Sequence, residues 1–351
     1  MGQKGLLSNV TIIRLVLIVL LVFYHAFVIF QGGWGMAGVF PEIEAYWWLD
    51  KLSYACLLET FVFISGYVFG YQVRTKGESK LDAKALFGSK FKRLIIPSMF
   101  FSFLYIVLLM DIKQPVVKTI WGIIEGVGHM WFLPMLFWCF AGVWIIEKLN
   151  LKPIIVVPLL ILCSLFSFLP LPLQLNVTMY YLLFFYLGFI IQKRGFDLDR
   201  YYAPRYAIVF AFLFVLLFPV LTIYRENAES FLKLSGQFVY NPLVLDVIKH
   251  SSLNLAKLIY STVGVALVFV LVGMLVKDKQ LSSRIVSIGN LCMGVYLFQQ
   301  FILLALYKHT ALPIVVSPYV LPWIGFLVAL IGSLAISFIF RLTKAGRFLI
   351  G

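Results

Sequence analysis

Three ionisable residues stand inside long apolar stretches of this 351-residue sequence: Arg14, His25 and Glu59. A charge in such a place costs several kcal/mol unless it is paired or hydrated, so each needs a reason. Arg14 and His25 are eleven residues apart. On a helix that is three turns plus about 20°, so both project from one face, roughly 16 Å apart along the axis. Arg14 has two readings, a guanidinium snorkelling to an interface or a cation that holds an anion. His25 also has two, a hydrogen-bonded structural imidazole or a base that titrates near neutral pH. Glu59 lies some six residues into the second apolar run and His25 some five before the end of the first. At about 1.5 Å per residue both fall at one depth, roughly 8–9 Å inside the same boundary. A carboxylate there would hold one tautomer of the imidazole and raise its basicity. His25 and Glu59 are therefore the candidate catalytic pair, and Gln299, at a similar depth in a later run, is expected to line the same cavity.

Basic residues gather toward the opposite ends of these runs. Lys90, Lys92 and Arg93 precede the third run and Arg74 closes the second. With Arg14 they make an expected rim for a phosphate-bearing ligand. The same residues equally suit the charge bias that orients a membrane protein. The segment GHMWFLPMLF at 128–137 sets His129 and Trp131 at the mouth of the fourth run, where Trp131 also suits an interfacial anchor. Asp246 and His250 are four apart and can meet on one helical turn. Cys56, Cys139, Cys163 and Cys292 lie in apolar surroundings without a C-x-x-C and read as packed free thiols. The sequon Asn176-Val177-Thr178 occupies a very short connection. No P-loop, no G-x-S-x-G and no metal-ligand spacing occurs, so no metal is expected.

The elements that must carry these residues follow from composition. The chain is 62% hydrophobic and 13% charged, with mean hydropathy +0.98. A soluble chain is about a quarter charged. Runs of roughly 20 apolar residues recur, each long enough to cross about 30 Å of hydrocarbon as a helix. The pattern predicts an all-α polytopic membrane protein, one membrane domain over 1–351 without a soluble domain. Helices are expected at about 10–30, 53–72, 94–110, 130–147, 153–170, 178–191, 207–223, 257–276, 285–306 and 319–340. The sixth is the shortest, and the longest connection is 224–256. The first run is too long for the apolar core of a secretory leader and is expected to stay as a helix. No internal repeat of the secondary-transporter kind is visible. With the N-terminus in the cytoplasm, alternation puts 21 of the 29 Lys and Arg on the cytoplasmic side. That bias sets both termini in the cytoplasm and accounts for the net charge of +14 without nucleic acid as a partner.

Five segments in order resemble the acyltransferase 3 family of bacterial membrane acyltransferases, and within it the fucose 4-O-acetylase-like members. RLVLIVLLVFYH at 14–25 is similar to the family's Arg-x10-His in its first helix. ETFVFISGYVFGY at 59–71 resembles its acidic residue followed by FFFISGY. KFKRLIIPSMFFSFLY from Lys90 resembles the basic-then-proline start of its third helix. HMWFLPMLF at 129–137 resembles HLWFLPAL, and GNLCMGVYLFQQFI at 289–302 resembles SLGIYLLHPFI. Gln299 and Gln300 stand where many members have His-Pro, so any proton relay by that histidine is absent here.

The resemblance implies a multi-pass enzyme of the bacterial inner membrane. It implies transfer of an acyl group, commonly acetyl from cytoplasmic acetyl-CoA, to a hydroxyl of a sugar in a surface polysaccharide or lipid-linked glycan. On that pattern His25 is general base or transient acyl carrier and Glu59 orients it. Arg14 and Arg93, with Lys92 and Arg74, hold the CoA phosphates, and His129, Trp131 and Gln299 meet the acceptor. A transporter or flippase of a lipid-linked glycan, and an assembly partner of a polysaccharide synthase, stay as competing readings. The charge bias gives the first test: a reporter fused after Gly351 is expected to be active only in the cytoplasm, and activity outside the inner membrane would overturn the topology.

Overall fold

The computed structural model describes residues 3–33, 40–110, 115–230, 241–276 and 280–350, and among them regular structure is helical with no strand. In chain order the helices are α1 (Gln3–Phe27), α2 (Glu44–Tyr54), α3 (Leu57–Lys76), α4 (Ala83–Lys90) and α5 (Ile96–Leu109). Next come α6 (Val116–Glu125), α7 (Phe132–Lys148), α8 (Pro153–Leu165), α9 (Leu175–Lys193) and α10 (Pro204–Glu226). The last are α11 (Pro242–Val276), α12 (Ser283–Gly289), α13 (Cys292–His309), α14 (Leu321–Leu342) and α15 (Lys344–Ile350). The all-α polytopic class expected from composition is the class observed. Eight helices among the described residues are long and apolar enough to cross a membrane, and a bent pair makes a ninth.

Differences from the expected ten spans have local causes. The fifth, expected at 153–170, is the 13-residue helix Pro153–Leu165. At 1.5 Å per residue it covers only about 20 Å, short of the hydrocarbon thickness. The sixth, expected to be the shortest, is an unbroken helix of 19 residues. The ninth, expected as one helix over 285–306, breaks into α12 and α13, which meet at 53°. Gly289 and Asn290 stand at the break, and both are poor helix formers. The long connection expected over 224–256 is mostly helical, because α10 runs to Glu226 and α11 begins at Pro242. The amphipathic α2 was hidden by its charges. It buries Tyr46, Asp50 and Ser53, a helical face spaced by four and three residues.

The chain forms two compact units. Unit 1 comprises Leu58–Gly88 and Met135–Asp278, and unit 2 comprises Gln3–Leu57, Ser89–Pro134 and Lys279–Gly351. In unit 2, α1 packs against α2, α12, α13 and α14, and α13 lies along α14. Tyr307 of α13 donates its hydroxyl to the Ala26 carbonyl at 3.2 Å, which fixes the end of α1 against α13. A wide π turn, Phe91–Ile95, precedes α5. Pro97 cannot donate to the Arg93 carbonyl four residues back, and a widened turn accommodates the lost bond.

In unit 1 the closest approach joins α3 and α9. A Cβ on Gly66 would stand 1.9 Å from the Phe185 carbonyl oxygen, and one on Gly70 2.2 Å from that of Phe189. Gly188 answers from α9, 2.2 Å from the Phe63 oxygen. Glycines four apart on one apolar helix let a second backbone come this near. Gly66→Ala is therefore expected to destabilise the detergent-solubilised protein by about 1–3 kcal/mol. Gly88→Ala, whose Cβ meets nothing within 4 Å, is expected to be neutral or slightly stabilising. Equal thermal unfolding of the two variants would contradict this packing.

Candidate functional site

Unit 2 brings two histidines together. His25, on the last turn of α1, and His129, in the tight 3-10 turn Gly128–Trp131, have ring centres 6.2 Å apart and meet edge to face. They are 7% and 5% exposed, and the two glutamines that hold them, Gln299 and Gln300, are 0% and 2% exposed. The Gln299 amide nitrogen lies 2.7 Å from His25 Nδ1. Gln300 Oε1 accepts from the His129 backbone N–H at 3.2 Å and also from His129 Nδ1. The other ring nitrogen of His129, Nε2, faces the Leu297 carbonyl oxygen at 3.1 Å.

This geometry separates the roles of the two rings. Both nitrogens of His129 point at carbonyl oxygens, which only accept. A neutral ring carries one N–H, so His129 donates to one of these oxygens only, while both of its nitrogens are occupied by the protein. His25 is engaged through Nδ1. The amide of Gln299 can meet Nδ1 with either end. Through its nitrogen it donates, and the neutral ring then carries its proton on Nε2. Turned over, its oxygen accepts Nδ1–H, and Nε2 then presents a lone pair. In the first orientation Gln299 Oε1 is buried with no hydrogen-bond partner among the described residues. A neutral amide thus supports both tautomers, which a carboxylate does not.

The turn that carries His129 is tied from two helices. Val127 N–H donates to Ser102 Oγ at 3.0 Å and Ser98 Oγ donates to the Met130 carbonyl at 3.3 Å, both serines being on α5. From α13 the Tyr296 hydroxyl donates to the His129 carbonyl. Gly128 has φ +60°, and a Cβ there would meet the Tyr105 ring at 2.9 Å and Gln300 Oε1 at 3.3 Å. Only glycine fits the residue before His129. Trp131 is half-buried at the end of the turn, edge-on to Phe132 at 6.1 Å.

The basic residues divide between the units. Arg14, Lys92 and Arg93 are exposed side chains of unit 2. A chain of contacts sets them at one end of it. Arg14 is in electrostatic reach of Cys292 at the start of α13, and Gly294 touches Ser337 and Ile350. The short helix α15, with Lys344 and Arg347, packs on the π turn that carries Lys92 and Arg93. α1 is continuous from Arg14 to His25, so their shared face and roughly 16 Å separation hold. Arg74 belongs to unit 1, with its guanidinium over the Tyr71 ring at 5.6 Å.

Glu59 also belongs to unit 1, where Lys257 Nζ lies 3.0 Å from its Oε1. Within unit 1 the neighbour of Glu59 is Lys257, and within unit 2 the neighbour of His25 is Gln299. Asp246 and His250 do meet, at 3.3 Å, as an exposed pair on α11. Two residues escaped the sequence reading. Asp50 is buried on α2, and its spacing from Tyr46 and Ser53 was the available signal. Tyr296, one helical turn before Gln299, had no signal beyond that spacing. Among the described residues no group of three or more His, Cys, Asp or Glu is placed to hold a metal.

Compared with known proteins, the chain matches the family model described as an acyltransferase domain, Acyl_transf_3, over residues 7–342. No curated protein and no solved structure matches it.

Gln300 is the acceptor for two donors of His129. Gln300→Leu is expected to strand both in a buried place, at about 1–3 kcal/mol for each unpaired group. Gln300→Glu keeps the acceptors and is expected to lose less. Thermal unfolding of the purified variants distinguishes them, and a Leu variant as stable as the parent protein would remove Gln300 from this role.

Proposed function

The chain belongs to the acyltransferase 3 family, and on that premise we propose that this membrane acyltransferase moves an acetyl group from cytoplasmic acetyl-CoA to a sugar hydroxyl. The acceptor is a surface polysaccharide or its lipid-linked precursor, and the membrane is the bacterial inner membrane. The observation that carries the reading is a buried imidazole, His25, held through Nδ1 by a neutral amide beside a second imidazole whose ring nitrogens both face protein oxygens. A neutral imidazole nitrogen can take a proton from a hydroxyl as the hydroxyl attacks.

The acceptor hydroxyl gives its proton to His25 Nε2 as its oxygen attacks the thioester carbonyl carbon and a C–O bond forms. The C–S bond then breaks, and coenzyme A leaves as a thiolate that takes the proton back from the imidazolium. Neutral His25 is restored. Burial of the histidine pair keeps water from competing with the sugar for the acyl group. Arg14, Lys92 and Arg93 have the charge and exposure to hold CoA phosphates at one end of unit 2. The roughly 16 Å from Arg14 to His25 suits an extended pantetheine arm. Gln299 is the positioning residue, and Trp131 and the His129 turn border the acceptor.

Membranes supplied with radiolabelled acetyl-CoA test this through label in the glycan. His25→Ala is expected to lose about 10²–10⁴-fold in rate, the worth of general-base assistance. Gln299→Leu is expected to lower kcat about tenfold, the value of one net hydrogen bond, with KM for acetyl-CoA unmoved. Gln299→His, which restores a hydrogen-bonding ring, is expected to recover activity. Labelling by His25→Ala at the parent rate would refute the mechanism, and glycan export without any label would favour a transporter.

A further inference from the structure

α2 carries a buried carboxylate that the transfer chemistry does not use. Asp50 is 4% exposed, and its Oδ1 has no hydrogen-bond partner among the described residues. The other polar groups on this face of α2 are engaged elsewhere. Tyr46, about one turn before, donates its hydroxyl to the Tyr319 carbonyl and meets the Phe27 and Phe30 rings at 4.9 and 5.6 Å. Ser53 donates its one hydroxyl proton to the backbone carbonyl of Asp50 at 2.8 Å, not to the carboxylate. Tyr54, about one turn after Asp50, stacks on the Tyr24 ring at 4.2 Å.

These contacts fix where Asp50 points. Tyr46, Asp50 and Tyr54 are spaced by four and form one stripe of α2. Tyr54 meets α1 at Tyr24, and Tyr46 meets the chain further on, at Phe27 and Phe30. The two helices therefore run antiparallel, and Asp50 faces α1 between Tyr24 and Phe27. That stretch contains His25, the base of the proposed transfer, at the end of α1 opposite Arg14. Tyr24 links the two: Asp50 is within its electrostatic reach, and its ring centre is 5.2 Å from that of His25. A buried carboxylate oxygen without a donor is costly, and an apolar side chain of like volume would pack here more cheaply. Lys51, the next residue, is also within electrostatic reach and moderates the charge, with its ammonium over the Trp47 ring at 5.3 Å. It gives Oδ1 no hydrogen bond. Oδ1 lacks a donor, and a sugar hydroxyl is a donor that a carboxylate accepts strongly. Tyr24, Trp47 and Tyr54 are half-buried, so apolar ring surface that suits the body of a sugar lies beside the carboxylate and is open to a ligand.

We propose that Asp50, set between Tyr24 and Tyr54, binds the acceptor sugar by accepting a hydrogen bond from a hydroxyl other than the one that is acylated. The word acceptor rests on the acyltransferase reading, whereas recognition of a sugar hydroxyl by Asp50 does not. The carboxylate thereby selects which sugar, and which of its hydroxyls, is presented to His25.

The test uses the full-length protein in phosphatidylcholine nanodiscs. The probe is a set of oligosaccharides released from the surface glycan of cells that lack the gene, titrated against the same set after O-methylation, which leaves no O–H to donate. The native protein is expected to bind the unmodified set about tenfold or more tightly. Asp50→Leu, which keeps the volume without the acceptors, is expected to weaken that binding about tenfold or more, and Asp50→Asn to lose less. Without glycan both variants are expected to unfold at or above the temperature of the parent protein, a direction that a structural role for Asp50 would not produce. No preference over the O-methylated set, unchanged binding in Asp50→Leu, or weaker binding together with a lower unfolding temperature overturns the site. Binding that is lost when only the free amines of the probe are acetylated also overturns it, because the partner is then an ammonium. Acetyl transfer by Asp50→Leu with an unchanged KM for the glycan would overturn the site and leave the reaction standing. Binding that depends on Asp50 in a protein that transfers no acetyl group would do the reverse.

Discussion

Consecutive side chains on an α-helix point about 100° apart, so two adjacent glutamines on α13 must face different neighbours. Gln299 meets His25 of α1 and Gln300 meets His129 of the turn before α7. One backbone thereby sets the separation and tilt of two imidazoles that lie more than a hundred residues apart in the chain. The amides are neutral, so they orient the rings without fixing their charge.

That arrangement depends on where α13 lies, and missing side chains hold it there. Gly294 lets α14 close on it through Ser337, and Gly325 lets the Tyr307 hydroxyl through to the Ala26 carbonyl. Gly128 lets Tyr105 and Gln300 close over the turn beside His129. The break after Gly289 redirects the chain so that α13 begins near Arg14. Close packing of this kind in an apolar medium rests on contact and hydrogen bonding, since lipid gives no hydrophobic drive between helices.

Much of this was legible beforehand. Helical class, the positions of the apolar segments and the shared face of Arg14 and His25 follow from period and hydropathy alone, because those are properties of one helix at a time. What pairs with what is a property of two helices. Depth put Glu59 level with His25, but depth does not name the residue that faces its carboxylate, and Lys257 opens the helix expected at 257–276, whereas α11 starts at Pro242. Gln299 was placed correctly in depth, yet its role at His25 Nδ1 became visible only with the rotation of α13 about its axis. Asp50 was hidden because α2 is amphipathic, and a hydropathy window averages over its buried face.

The account stands on acetyl transfer to a glycan through His25. Mass spectrometry of the surface and lipid-linked glycans addresses this directly, with cells that carry the gene, cells that lack it, and cells that carry only His25→Ala at matched membrane levels. The account predicts an O-acetylated sugar in the first cells and the same glycan, present but unacetylated, in the other two. A glycan with identical acetylation in all three would contradict it.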